Sequence, residues 1–117
     1  MKRILLVLGI TFLTATGFGQ TEIPTFEDQG SASIDNNMCV SLDATSPLKN
    51  FYVIDISALG FENEEEAWKQ FGYIADNLLT YHVFYSEQKV TLQLHLERTD
   101  ENTVSWWNAY LENKCAK

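Results

Sequence analysis

The sequence predicts an α+β sandwich in which two helices pack on one face of an antiparallel sheet. Three observations predict it. Val90, Leu92, Leu94 and Leu96 alternate with polar residues at the period of a half-buried strand. Ala67, Phe71, Ile74, Ala75 and Leu78 recur at helical spacing, as do Val104, Trp107, Leu111 and Cys115. Between them the order of elements from Phe51 onward is strand, helix, strand, strand, helix, with an extra short strand ahead of it.

The elements follow in order. Met38–Leu42 reads as the short N-terminal edge strand, and 43–50, with Ser46-Pro47, as a loop. Phe51–Ser57 is largely apolar on both of its faces, which marks a central strand. Asn63 is a good N-cap, and Glu64, Glu65 and Glu66 fill the first turn, where carboxylates oppose the positive end of the helix dipole. Glu66 stands at the reciprocal position of a capping box. Capping and solubility therefore account for these glutamates better than a cation site does. The helix is expected to end near Asp76-Asn77 with Asn in a left-handed C-cap. Leu79–Tyr85 and Lys89–Glu97 form a hairpin around Ser86-Glu87-Gln88. With Glu87 and Gln88 as the turn, Tyr85 faces Val90, Val83 faces Leu92, Tyr81 faces Leu94, His82 faces Gln93 and Thr80 faces His95. The last helix begins at Asp100 or Asn102, and Lys114 and Lys117 suit its C-terminal end. This βαββα order points to a ferredoxin-like arrangement. The Cys39 strand is expected to hairpin onto Phe51–Ser57 and fill the open edge.

The N-terminus carries an address. Lys2 and Arg3, the apolar run from Ile4 to Leu13, and the exit through Gly17-Phe18-Gly19 have the three-part form of a signal peptide. The competing reading is a buried N-terminal helix or strand, but no polar residue breaks the run into an amphipathic face. The run is about half the ~20 residues that a membrane span requires. Residues 1–19 are thus expected to be removed, 20–37 to be a flexible lead-in, and 38–117 to be a single domain. The protein is expected in the periplasm or outside the cell, with no membrane insertion after cleavage. Cys39 and Cys115 are the only cysteines, and in an oxidising compartment an even count favours a disulfide. Their spacing fits neither a Cys-x-x-Cys redox motif nor a thiolate metal site.

The chain has 8 basic and 16 acidic residues, a formal net charge of −8. Loss of Lys2 and Arg3 leaves six basic residues against those 16, a net of −10. Such a surface repels nucleic acid and anionic membranes and could suit a cationic partner.

From Asn50 to Asn113 the element order, element lengths and tight Glu87-Gln88 hairpin resemble the heavy-metal-associated domain of small copper chaperones and metal-ATPase modules. That resemblance implies the ferredoxin-like fold. The family holds metal through a Met-x-Cys-x-x-Cys loop between its first strand and first helix. The corresponding stretch here, Ser57-Ala58-Leu59-Gly60-Phe61-Glu62-Asn63, has no cysteine, so the metal activity does not carry over.

No nucleophile elbow or phosphate-binding glycine loop is present, so no catalytic residue is assigned and a non-enzymatic protein is expected. In the register above His82 and His95 lie diagonally on the sheet face away from the helices, about 7–8 Å apart in backbone. Glu97, Asp55 and Gln93 share that face. Two imidazoles and a carboxylate could hold zinc or copper, and this is the alternative function; without it no cofactor is expected. Phe51, Val53 and Phe84 add apolar surface to the same face, where a solvated sheet is normally polar. Together with His82 and His95 they form the expected contact surface for a protein or peptide partner. The competing reading is that the lead-in folds back and covers this face.

Overall fold

The computed structural model describes residues 22–115. The expected signal peptide, residues 1–19, lies outside them. Among the described residues seven strands and α-helices form: β1 Gly30–Ile34, β2 Val40–Leu42, β3 Phe51–Asp55, α1 Glu64–Ile74, β4 Leu79–Phe84, β5 Lys89–Leu94 and α2 Val104–Glu112. Five strands make one sheet in the order β2-β1-β3-β5-β4. The α+β class is as expected, and Phe51–Asp55 is the central strand.

The lead-in departs from expectation. It contains β1, which lies between β2 and β3, antiparallel to the first and parallel to the second. The sheet is therefore mixed rather than antiparallel, and the strand after Cys39 pairs with β1 instead of β3. Gly30-Ser-Ala-Ser-Ile has the small, polar composition of a linker, but here small size is what the packing requires. Gly30 pairs with Tyr52, and a Cβ on Gly30 would lie 2.6 Å from the Tyr52 ring. The β1–β2 turn is held by Asp35, whose Oδ1 accepts the N–H groups of Asn37 at 2.9 Å and Cys39 at 3.0 Å.

Asn63 caps α1 as expected, its Oδ1 accepting the Glu66 N–H at 2.8 Å. The Glu66 carboxylate reaches one residue further back than a capping box does, to the Glu62 N–H at 2.8 Å. The helix stops at Ile74, and Ala75 is extended, so Asp76-Asn77 is not a left-handed cap. Asp76 instead shapes the entry to β4. Its Oδ1 accepts the N–H groups of Leu78 and Leu79 at 2.8 and 3.0 Å, a side-chain turn that competes with further helix. Thr103, not Asp100 or Asn102, caps α2 by accepting the Trp106 N–H at 3.2 Å.

Both helices cover one face. Ala67, Phe71 and Ile74 of α1 and Trp107 and Leu111 of α2 share a core with Tyr52, Ile54, Tyr81, Val90 and Leu92. Cys39 and Cys115 form a disulfide that ties the start of edge strand β2 to the end of α2.

The β4–β5 hairpin differs from expectation by two residues. Val83 faces Val90, Tyr81 faces Leu92, His82 faces Thr91 and Thr80 faces Gln93. The loop spans four residues, a tight turn over Tyr85–Glu87 closed by Gln88 at φ 55°. The Gln88 N–H donates to the Tyr85 carbonyl at 2.9 Å, and this bond moves the closing pair back to Phe84 and Lys89. A slip of two preserves which face each side chain occupies but changes its neighbours.

Candidate functional site

The sheet face away from the helices collects the residues that sequence reasoning singled out. Phe51 and Val53 come from β3, His82 and Phe84 from β4, and His95 from the residue after β5. The strand alternation that buries Tyr52, Ile54, Tyr81 and Val83 under the helices turns these five outward. They are not equally open. Phe51 and His95 are buried, whereas Val53, His82 and Phe84 are half-buried.

Residues 24–29 explain part of that burial. Phe26, in a short turn over Phe26–Asp28, meets Phe84 edge-on with ring centroids 5.5 Å apart. Gln29 Oε1 accepts the hydroxyl hydrogen of buried Thr91 at 3.1 Å, and Gln29 Nε2 donates to the Pro24 carbonyl at 3.0 Å. The segment therefore straps across the face from β4 to β1. An apolar groove of about 460 Å³ remains beside it, lined by Ile23, Pro24, Phe26 and Phe84.

The histidines are separated. His82 faces Thr91, and His95 lies four residues beyond Thr91, about 13 Å of extended chain. The diagonal pairing that placed them together is not formed, because the register differs. Each ring has its own partners. His82 Nε2 donates to Gln93 Oε1 at 3.0 Å. His95 Nδ1 lies 3.0 Å from Glu97 Oε2, and its Nε2 lies 2.6 Å from Thr80 Oγ. Glu97 is held below the usual carboxylate range by its own backbone N–H and then by His95. Asp55 is likewise lowered by the Ser57 hydroxyl and N–H. Among the described residues no three His, Cys, Asp or Glu side chains come together as a metal site.

Thr80, His95 and Glu97 form a hydroxyl–imidazole–carboxylate chain, the order of an acyl-transfer triad. Catalysis also needs N–H donors converging on a developing oxyanion. The backbone N–H groups of Thr80 and His82 are directed to β5, and that of Tyr81 points outward from the edge in the plane of the sheet. The chain fixes the orientation of the His95 ring.

Sequence reasoning named the face and left open whether the lead-in covers it; residues 24–29 do cover part of it. The signals available for it were Phe26 and Gln29 within an otherwise small-residue segment. Comparison of the chain with protein-family models, with curated proteins and with solved structures finds no match.

Proposed function

We propose that this protein is a small exported, non-enzymatic domain that captures a protein or peptide partner on the sheet face away from its helices. The observation that carries the reading is the apolar groove between Phe84 and the Ile23–Phe26 strap. A solvated sheet face has no physical reason to display aromatic residues, whereas a contact surface gains from burying them. The Cys39–Cys115 disulfide supports an oxidising destination. No helix among the described residues is long and apolar enough to cross a membrane, which accords with release after signal cleavage. The antiparallel β3-β5-β4 order, with α1 and α2 on one face, supports the ferredoxin-like arrangement, although β1, in the fourth position beside β3, runs parallel to it and departs from an all-antiparallel sheet.

Phe84→Ser tests the reading. Wild-type and variant chains, each verified as folded, are crosslinked to the host envelope fraction. The wild type should retain a specific partner that the variant loses. Equal retention by both chains, or none by either, would count against this face.

A further inference from the structure

The two edges of the sheet are unlike. β2 is only 3 residues long, and Asn108 of α2 takes the outward backbone groups of Leu42. The Asn108 carboxamide accepts the Leu42 N–H at 2.7 Å and donates to the Leu42 carbonyl at 3.2 Å. β4, at the other edge, is 6 residues long and contains neither proline nor a formally charged side chain. The His95 N–H bonds the Leu78 carbonyl at 3.0 Å. Counting by twos from that pair along the register, Thr80, His82 and Phe84 turn their backbone groups toward β5. The N–H and C=O of Tyr81 and Val83 therefore point out of the sheet, and among the described residues nothing takes them. Those of Leu79 are closed by backbone bonds with Asp76. Proteins ordinarily shield such edges; among the described residues Asn108 shields Leu42 of β2, whereas the outward groups of Tyr81 and Val83 in β4 are open.

A notch of about 230 Å³ lies beside the open edge, lined by Trp68, Phe71, Gly72, Ala75, Leu79 and Tyr81. Glycine inside a helix costs roughly 1 kcal/mol relative to alanine. A Cβ on Gly72 would meet nothing within 4 Å, so internal packing does not call for glycine there. Its missing side chain instead leaves room next to Trp68, which is 46% exposed. The Tyr81 residue is 5% exposed, and its buried hydroxyl has no hydrogen-bond partner among the described residues.

The charge around the far end of the edge has one dominant sign. Glu27 and Asp28 belong to the turn whose Phe26 packs on Phe84. Glu62, Glu64 and Glu65 cluster at the start of α1, which the Tyr85 hydroxyl joins to the end of β4 by donating to the Phe61 carbonyl at 2.8 Å. Glu87 follows in the hairpin loop. Against them stand Lys89, paired across from Phe84, and Lys69, which follows Trp68 in α1.

We infer that the outer edge of β4 docks an extended, basic peptide segment of a partner protein, which joins the sheet as an additional strand. Main-chain bonds to Tyr81 and Val83 would supply affinity, and alternate side chains would supply specificity. One set of side chains enters the notch at Trp68 and Gly72. The other lies over His82 and toward the Phe84 groove, where the carboxylates attract lysine or arginine. The same charge, −8 over the chain, disfavours a second copy as the occupant. The inference rests on the reading of the chain as an interaction domain and adds the edge and the chemistry of the partner.

The test uses three blocked peptides matched to β4 in length: alternating Lys–Val, alternating Glu–Val, and alternating Lys–Pro, which keeps the charge but lacks the N–H of every second residue and resists strand pairing. Amide hydrogen exchange of the processed chain is the readout. Lys–Val should slow the Tyr81 and Val83 amides by about tenfold or more at saturation, and the other two peptides should not. Gly72→Leu, which fills the notch, should weaken Lys–Val binding roughly tenfold without lowering the unfolding midpoint. Equal protection by Lys–Pro, protection at Val40 instead, or no protection at Tyr81 and Val83 would overturn the proposal. So would concentration-dependent protection of those amides without peptide, which would assign the edge to a second copy. A negative result here alongside partner capture that depends on Phe84 would remove the edge site and leave the sheet-face reading standing.

Discussion

Gly30 carries more of the fold than its size suggests. Its position opposite Tyr52 lets β1 approach the central strand, and a Cβ there would sit 2.6 and 2.7 Å from two ring carbons. The ring cannot retreat easily. Tyr52 is 1% exposed, and its hydroxyl oxygen accepts the Lys49 N–H at 3.0 Å. Gly30→Ala is therefore expected to destabilise the protein by about 1–3 kcal/mol, the usual cost of forced overpacking. Urea unfolding measures it, and adding Tyr52→Leu should recover part of the loss by removing the clash. An unchanged midpoint in Gly30→Ala would show that β1 does not depend on this contact. The same residue explains why β1 was illegible in the sequence. Strand signals come from branched and aromatic side chains, and a strand selected for small ones resembles a linker. Phe51, Val53, His82, Phe84 and His95 were legible because alternation alone assigns a face. Their neighbours were not, because alternation is unchanged by a slip of two, and the bond between the Gln88 N–H and the Tyr85 carbonyl decides the register.

At the scale of elements, the junction between α1 and β4 is held by Asp76, which also reaches α2. Its Oδ2 accepts the Tyr110 hydroxyl at 2.5 Å and pairs with Lys114 Nζ at 2.8 Å. Burial pushes the Asp76 carboxyl up, but hydrogen bonds from Lys114, Tyr110 and the Leu78 N–H outweigh it and hold the group below its ordinary value. A carboxyl lowered in the folded state stabilises fully above its unfolded value of about 3.9 and loses that contribution as pH falls through the folded value. Asp76→Asn should therefore cost about 2 kcal/mol near neutrality, with the difference from wild type shrinking below about pH 4. Tyr110 shows the opposite case. Burial, together with the Asp76 carboxylate, pushes its phenol up to about 12. A phenol raised on folding stabilises below its unfolded value of about 10 and loses that contribution as pH climbs through the folded value. Unfolding curves across pH check both limbs. A wild-type to Asp76→Asn difference that stays constant into strong acid would refute the role assigned to the carboxylate. None of this junction was legible as a site, because Asp76 and Lys114 are far apart in sequence and only the packing of α2 brings them together.

For the whole molecule, the Cys39–Cys115 bridge closes a loop with a sequence separation of 76 residues. Such a closure removes roughly 4 kcal/mol of conformational freedom from the unfolded chain, a large share of the stability of a domain this small. The bridge was legible from two cysteines and an expected export signal, but its mechanical position was not. It joins the shielded edge, β2, to the end of α2, while β4 and the strap over the far face lie at a distance from it. Two mechanisms can therefore be separated. If the bridge acts on the unfolded chain, its loss weakens every amide that exchanges only through global unfolding, including those of Ile54 and Leu92 in the buried central strands. If it only pins a local edge, the effect stays within β2 and the last turn of α2. The chain-entropy mechanism predicts that the Cys39→Ser, Cys115→Ser double variant speeds Ile54 and Leu92 exchange by about a thousandfold, the factor that ~4 kcal/mol implies. Acceleration confined to Val40–Leu42 and residues 110–113 would instead identify the bridge as an edge clamp, and the unpaired β4 edge would then be the less constrained end of the sheet by comparison.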